Sequence, residues 1–396
     1  STSGSDVTDD MTTCHLFCRV IDNYGDLGVC WRLARHLADG HGVSVTLFVD
    51  DLASFTHLAP VLNPELATQS LGDISVHHWR SDQPLPAPAD LVIEAFACDL
   101  PADYLAAMAT RLQPPVWINL EYLSAEDWVA GCHGLDSVHP QLGLLKTFWF
   151  PGVEARTGGL LRSAEELAIM QEAADSPAAF LAGLPAAACN GMPQISLFGY
   201  EQPAMAGLLD ALAADSTPRC LNVFQGRALS DVEQWLGQRL LPGIAARRGA
   251  LSLRLLPLLP HADYDRLLAI CELNLVRGED SLVRAQWAGQ AMLWHIYPQN
   301  DDAHLVKLQA WQQRVEDAAL AAGTPMPAIW SERLQAWNRP DAARKPASEK
   351  AWQTFLQALP DIRAGLRAWR SCLLAEDDLA SQLMRFYTNR VESRPT

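Results

Sequence analysis

Short apolar runs alternate with helical segments along most of the chain. Five runs in the first part predict buried strands, at residues 15–21, 43–49, 74–79, 91–95 and 116–120. Helical periodicity predicts helices at 29–38 and 102–111. Strands that are separated by helical or turn segments pair in parallel through right-handed crossovers, so the pattern predicts an α/β fold.

This alternation stops over residues 152–191, which are rich in Gly, Ala and Pro and contain one predicted helix at 164–174. It then restarts, with strands predicted at 195–198, 220–224, 251–256, 273–276 and 292–297. Helices are predicted between them at 204–213, 232–241, 263–270 and 282–287, and the chain finishes in further helices. We interpret the break as an interdomain region, and we expect two α/β domains, each with its own sheet, on either side of a cleft.

Length and charge agree with this organisation. The chain has 396 residues, more than the roughly 150 that one domain usually contains. Its 46 acidic and 30 basic residues give a net charge of −16, which repels phosphate backbones and anionic lipids. The longest uncharged run, residues 176–200, is interrupted by prolines and cannot span a bilayer as one apolar helix. Direct binding to nucleic acid or to a membrane is therefore not expected.

The nine cysteines form no CxxC pair, and most lie in apolar stretches. We interpret them as buried, reduced thiols, which indicates a reducing compartment and a cytoplasmic protein. The histidines show no HExxH or HxH spacing, so the sequence requires no metal.

A loop that carries two carboxylates is predicted directly after the first strand, at the carboxyl edge where α/β folds bind ligands. Its glycines permit tight turning and close approach of a substrate. The carboxylates of Asp22 and Asp26 favour a functional role. The structural alternative places Asp22 in a turn and Asp26 at a helix N-cap. The predicted loop consists of Asp22, Asn23, Tyr24, Gly25, Asp26, Leu27 and Gly28.

A second polar turn, Arg277-Gly278-Glu279-Asp280-Ser281, also lies between a predicted strand and a predicted helix. The helix N-terminus offers free N–H groups to an anion, and Arg277 adds a charged fork that suits phosphate oxygens. The alternative is a helix cap beside an Arg–Glu surface pair.

Aromatic residues form a third set. Phe198 and Tyr200 follow a strand of the second half, and Tyr264 lies near the next loop. A planar base could stack on them, although aromatic residues at strand ends usually belong to the core. The polar and aromatic residues at 139–140 and 146–152 are interpreted as domain packing.

Four longer strings resemble one family, the bacterial protein-arginine rhamnosyltransferases that modify translation elongation factor P. The strings are FCRVIDNYGDLGVCWRLARHLA near the start, LEYLSAEDWV from Leu120, HPQLGLLKTFWFPGVEARTGGLLR from His139 and LVRGEDSLVRAQWAGQAMLWHIYPQNDDAHLVKL from Leu275. The resemblance runs from Cys14 to Leu308 and weakens in the C-terminal helices.

The resemblance implies a GT-B glycosyltransferase, in which two Rossmann-like domains face each other across a cleft. It implies dTDP-β-L-rhamnose as the donor, an arginine of elongation factor P as the acceptor, and inversion at the sugar without a metal or other cofactor. The expected parts are an acceptor-binding domain at 11–180, a donor-binding domain at 191–371, and a C-terminal helix at about 372–392 that returns to the first domain.

Residue roles also follow from the resemblance. Asp26 matches the family's catalytic aspartate, Asp22 its partner and Glu279 an essential glutamate. His261 stands where glutamine is expected beside the base, and Leu258 stands where an aromatic residue is usual. The remaining positions match donor contacts: Phe198, Tyr200, Tyr264, Arg277, Asp280 and Ser281.

Two alternatives stay open from the sequence. The chain could be a GT-B transferase for another nucleotide sugar or another acceptor. It could also be a non-catalytic binding protein with the same fold, although such a protein has no need of Asp26, Arg277 and Glu279.

Overall fold

The computed structural model describes residues 10–339 and 349–395 of the chain. Residues 340–348, which belong to the second predicted domain, lie outside the described residues. The described part of the first half contains eight strands and six α-helices. They are β1 Thr13–Cys18, α1 Asn23–His41, β2 Ser44–Val49, α2 Leu52–Phe55, β3 Thr68–Leu71, β4 Ile74–His78, β5 Leu91–Ala95, α3 Ala102–Thr110, β6 Val116–Leu120, α4 Val129–Cys132, β7 Asp136–Val138, β8 Leu145–Trp149, α5 Ala164–Asp175 and α6 Pro177–Leu181.

The described part of the second half contains six strands and nine helices. They are β9 Gln194–Leu197, α7 Met205–Ala214, β10 Arg219–Phe224, α8 Leu229–Leu236, β11 Ala246–Arg248, β12 Leu251–Leu256, α9 His261–Ile270, β13 Leu273–Arg277, α10 Asp280–Ala288, β14 Ala291–His295, α11 Ala303–Ala321, α12 Ala328–Asn338, α13 Glu349–Gln357, α14 Leu359–Leu374 and α15 Leu379–Glu392.

The first sheet has the strand order β3-β4-β2-β1-β5-β6-β8-β7. Its strands pair in parallel except at the two edges, where β3 and β7 run antiparallel to their neighbours. Alternate residues of β1 supply two cores, because successive side chains of a strand point to opposite faces. Leu16 is buried in one core, and Phe17 stacks on Phe48 in the other, with ring centroids 4.4 Å apart.

The second sheet has the order β11-β12-β10-β9-β13-β14, with β11 antiparallel at its edge. In each sheet, the chain first forms the strands on one side of the first strand and then those on the other side. The strand order therefore reverses between β1 and β5 in the first sheet and between β9 and β13 in the second. Ligands of open α/β sheets bind at the carboxyl ends of the strands at such switch points. The ends of β1, β9 and β13 are therefore where the fold predicts a site.

The C-terminal helices divide between the two halves. Ile362 and Leu366 of α14 are buried in the core of the second sheet. Leu379 and Leu383 of α15 are buried in the core of the first sheet, where α15 packs on α1 and β6. The chain therefore returns to its first domain at the end, as expected. In the ranges that the structure describes, no helix is both long and apolar enough to cross a membrane.

All ten predicted strands are present, but the sequence analysis misses β3, β7, β8 and β11. The three edge strands are short and largely exposed, so they carry no apolar run that would reveal them. The strand β8 lies in the segment that was interpreted as domain packing. The helix predicted at 232–241 ends earlier, because Gly237 adopts φ +75° and terminates α8.

The segment between the two sheets contributes α5, which packs on α9 and buries Met170 in the core of the second sheet. The predicted boundaries at 180 and 191 stay a prediction. All nine cysteines lie in the described ranges and are free thiols, and seven of them are buried, as expected.

Buried charges join the two domains beside the cleft. Arg32 of α1 is fully buried and donates to Asp280 at 3.2 Å, to Asp265 at 3.1 Å and to Glu166 of α5. Arg284 of α10 donates to the same Asp265 at 3.1 and 3.2 Å. These ion pairs connect α1 to the second domain through largely buried side chains.

Candidate active site

Asp22 and Asp26 lie where β1 passes into α1. The helix begins at Asn23, and its first turn is closed by the Gly25 N–H, which donates to the carbonyl of Asp22 at 2.7 Å. The prediction of a loop is therefore wrong beyond Asp22, because glycines are tolerated in a first turn whose N–H groups lack intrahelical partners. The helix includes six residues that were predicted as loop: Asn23, Tyr24, Gly25, Asp26, Leu27 and Gly28. The side chain of Asn23 lies outside the described residues.

Gly28 serves close packing between the domains rather than turning. A Cβ atom at this position would lie 3.1 Å from Oδ2 and 3.2 Å from Cβ of Asp280 in the second domain. Any larger residue would push the two domains apart at the cleft.

The carboxylate of Asp26 is buried, with 1% of the residue exposed, and is held by three donors. Its Oδ2 atom accepts the N–H groups of Ile21 at 2.9 Å and Asp22 at 3.0 Å, while Oδ1 accepts the hydroxyl of Tyr122 at 3.1 Å. Asp26 therefore orders the backbone ahead of α1 and also faces the cleft. The structural alternative is wrong about the cap, because the N-cap residue of α1 is Asp22 and Asp26 lies in the first turn of the helix.

The other two candidate carboxylates meet groups of the opposite domain. Asp22 Oδ2 accepts the hydroxyl of Tyr200 at 2.9 Å. Glu279 precedes α10 in the second domain, and its Oε1 accepts the N–H of Leu123 in the first. Gly278 lies between these contacts with φ +65°, a conformation that favours glycine.

Asp22, Asp26 and Glu279 line one cavity of about 300 Å³. The first domain completes the wall with Ile21, Gly25, Tyr122 and Leu123, and the second domain contributes Gly278, Trp294, Ile296, Tyr297, Gln299, His304 and Lys307. We name this the carboxylate cavity. It is the region of the cleft suited to a cationic group.

Electrostatics in the carboxylate cavity favour an incoming cation. Burial raises the pKa of Asp26 and of Asp22, with Arg277 opposing the rise at Asp22. Burial also raises the pKa of Glu279 to about 8, opposed by the Leu123 N–H and Lys307 and increased by the charge of Asp26. A guanidinium would relieve this crowding of like charge and draw all three groups toward their ionised forms.

A second cavity adjoins the first and is lined by predicted donor contacts. Arg277 is 5% exposed, and its guanidinium lies over the rings of Phe198 at 4.5 Å and Tyr200 at 4.7 Å. Its Nη2 atom is buried without a hydrogen-bond partner. A buried cationic donor with a free N–H suits a phosphate oxygen. We name this cavity the donor pocket.

The structure brings most of the predicted donor residues to the donor pocket. Tyr264 is buried there, with its ring centroid 6.1 Å from that of Phe198. His261 accepts a hydrogen bond from Arg35 at 3.1 Å and lies 3.8 Å from Asp280, and burial together with Arg32 lowers its pKa well below the usual range. The other predicted residues that line the pocket are Leu258, Arg277, Asp280 and Ser281.

Tyr24 and Leu58 of the first domain close the donor pocket to a cavity of about 40 Å³. Pockets for small ligands usually measure about 300–1,000 Å³. The donor pocket therefore has to widen before a ligand of nucleotide size can enter it.

Sequence reasoning missed Tyr122 and Lys307, although both line the carboxylate cavity. Tyr122 could have been found, because it follows a predicted parallel strand and so lies at the same sheet edge as Asp22. Lys307 lies on a helix with ordinary surface spacing and gives no local signal. Across residues 10–339 and 349–395, no group of three or more His, Cys, Asp or Glu side chains is placed to hold a metal ion.

The chain matches a family described as Elongation-Factor P (EF-P) rhamnosyltransferase EarP over residues 14–388, which extends into α15. It is 47% identical over 388 residues to a protein-arginine rhamnosyltransferase of Pseudomonas putida, covering 95% of this chain and 99% of that protein. A protein of the same name from Neisseria meningitidis is 34% identical over 390 residues, covering 96% of this chain and 98% of that protein.

One solved structure, which shows the structural basis for EarP-mediated arginine glycosylation of translation elongation factor EF-P, is similar with a TM-score of 0.64 and 33% identity. The similarity covers 95% of this chain and 99% of that one. A UDP-glucosyltransferase from Polygonum tinctorium has a TM-score of 0.51 at 12% identity, covering 96% and 99%, and is similar in fold alone. The expected GT-B fold is thereby confirmed, and the chain belongs to the EarP family of elongation factor P rhamnosyltransferases.

Proposed function

We propose that this chain transfers L-rhamnose from dTDP-β-L-rhamnose to an arginine side chain of elongation factor P, with inversion at the anomeric carbon. The observation that supports this most strongly is the meeting of three carboxylates from two domains, Asp22, Asp26 and Glu279, in one cavity. The donor pocket adjoins that cavity, and Asp22 lines both.

The carboxylates suit an arginine acceptor. A guanidinium is a poor nucleophile because its charge is delocalised and its pKa exceeds ~12. Asp22 and Glu279 would fix the guanidinium plane and localise charge on one nitrogen. As that nitrogen forms the C–N bond and the bond from the sugar to dTDP breaks, Asp26 would accept the nitrogen's proton. One displacement gives inversion, so no covalent intermediate with a carboxylate is required.

The donor pocket suits the departing diphosphate. Arg277 would donate its free Nη2–H to a phosphate oxygen, and the N-terminus of α10 would face the same charge. The thymine base would stack among Phe198, Phe224 and Tyr264. We propose that these groups replace a divalent cation, so transfer should survive excess EDTA, and a loss that magnesium or manganese restores would contradict this.

Intact-mass spectrometry of elongation factor P, incubated with this chain and dTDP-rhamnose, tests the proposal. The factor should gain the mass of one deoxyhexosyl group, and a factor whose acceptor arginine is changed to lysine should gain none. Incubation with a UDP-sugar in place of dTDP-rhamnose tests the alternative that the chain is a transferase for another nucleotide sugar. Binding of the factor without turnover of any donor would instead support a non-catalytic protein. An acceptor that works in translation favours a cytoplasmic location.

A further inference from the structure

Tyr122 donates its hydroxyl to the carboxylate that carries the proposed proton transfer. It follows β6, and its oxygen lies 3.1 Å from Oδ1 of Asp26. The other carboxylate oxygen of Asp26 already accepts two backbone N–H groups. An ionised carboxylate oxygen has about two lone-pair sites, so Oδ1 keeps one for a proton after it accepts from Tyr122. The hydrogen bond from the Tyr122 hydroxyl thus fixes the direction of the remaining lone pair of Oδ1.

The ring of Tyr122 is itself held by an aromatic contact. It stacks on Phe96, with ring centroids 4.1 Å apart and an interplanar angle of 8°. Tyr122 is 37% exposed and lines the carboxylate cavity, so the ring is fixed to the protein and still reaches the cleft.

The backbone beneath this stack is strained. Phe96 and Ala97 have φ values of +56° and +53°, in the left-handed region that side chains other than glycine rarely adopt. The Phe96 N–H donates to the carbonyl of Leu120 at 2.6 Å, and the Ala97 N–H donates to Oδ1 of buried Asn119 at 3.0 Å. Strain of this kind persists where surrounding contacts impose it, and it is concentrated at functional sites.

We propose that Tyr122 is a positioning residue for the transfer: its hydroxyl, held by the Phe96 stack, aims Oδ1 of Asp26 at the acceptor guanidinium. This inference rests on the proposed function. Burial and the nearby charge of Asp26 raise the pKa of Tyr122, so the hydroxyl keeps its proton and remains a donor. The other titratable groups that act on Asp26 or share its cavity are Asp22, Cys30, Glu279, Tyr297, His304 and Lys307.

The variant Tyr122→Phe tests this, because it keeps the ring and its stack and removes only the hydroxyl. The kcat for rhamnosyl transfer should fall about tenfold, the size of a lost hydrogen bond to a charged group. The hydroxyl stabilises ionised Asp26, so its loss should move the acid limb of the kcat–pH profile upward by about one unit. The KM for the acceptor, the affinity for dTDP and Tm should stay close to those of the parent.

Two further variants make the result specific. Phe96→Leu keeps the Tyr122 hydroxyl but removes the ring stack, and it should lower kcat as Tyr122→Phe does. Tyr387→Phe removes a hydroxyl on α15, far from the cleft, and should change neither kcat nor the pH profile. A purely structural tyrosine would instead lower Tm and leave the acid limb in place.

The outcomes are distinguishable. If the parent chain transfers rhamnose and Tyr122→Phe has the same kcat and the same acid limb, the inference is overturned while the proposed function stands. If the parent chain transfers nothing, the proposed function fails and the inference fails with it.

Discussion

Replacing Asp26 with Asn separates charge from shape at the proposed proton acceptor. Asn has the same size, and its amide oxygen can accept the N–H groups of Ile21 and Asp22, which now donate to Asp26 at 2.9 and 3.0 Å. The Asn side-chain NH₂ group can donate to the oxygen of Tyr122. The variant therefore loses the negative charge and the capacity to take a proton, and it loses little else.

The expected effect on rate is large and the effect on stability is small. Loss of a general base lowers turnover by ~10²–10⁴-fold, which corresponds to about 3–5 kcal/mol in the barrier. Tm should stay near that of the parent, because the hydrogen bonds persist and burial already disfavours the charge of Asp26. By contrast, Asp26→Ala would leave two N–H groups without partners, at a cost of about 1–3 kcal/mol each.

Three measurements on Asp26→Asn decide the matter: initial rates of rhamnosyl transfer by mass spectrometry, dTDP affinity by calorimetry, and Tm at the same pH. We expect only the rate to change. A purely structural Asp26, which only holds the backbone ahead of α1, predicts that activity persists, since Asn can accept the same N–H groups of Ile21 and Asp22. Turnover within a few-fold of the parent would refute the role of Asp26 as proton acceptor. A large fall in Tm would show that the variant loses its fold, and a loss of rate would then not support that role.

Three other substitutions test separate parts of the site. Arg277→Ala should weaken dTDP binding at least tenfold in calorimetry, because it removes the buried donor with a free N–H. Arg239→Ala, at a side chain that is 90% exposed, is the control, and equal dTDP affinities of the two variants would place the diphosphate elsewhere. Ionised Glu279 would bind the proposed cationic acceptor, and burial raises the pKa of Glu279 to about 8, so we expect kcat/KM to rise with pH through that value. Glu279→Gln should abolish this rise, and an unchanged profile would contradict the assignment. Arg32→Met removes the cation that Glu166, Asp265 and Asp280 share, although Arg284 still pairs with the first two, and it should cost ~3–5 kcal/mol in chemical denaturation. Arg385→Met breaks an exposed pair and should cost at most ~1 kcal/mol, so similar losses would show that the buried network is not special.

Much of the fold could be predicted from the sequence because parallel strands buried on both faces give continuous apolar runs. Every such run is a strand in the structure. The residues at the ends of β1, β9 and β13 could be assigned to the carboxyl edge of their own sheets, because the parallel strands of a sheet end at the same edge. Asp22, Phe198 and Arg277 were found in this way. The exposed edge strands carry no such run, and α1 begins inside a segment whose glycines indicated a loop.

Which residues end the strands could be predicted from the apolar runs alone, and with them the carboxylates and the arginine that lie at the cleft. How these residues contact one another depends on the packing of the two domains. The contact between Leu123 and Glu279 joins residues 156 positions apart, and no local pattern encodes such a distance. Arg32 and Asp265 read as ordinary polar helix positions, yet both are buried, because a charge can leave water when packing from another domain supplies its partner.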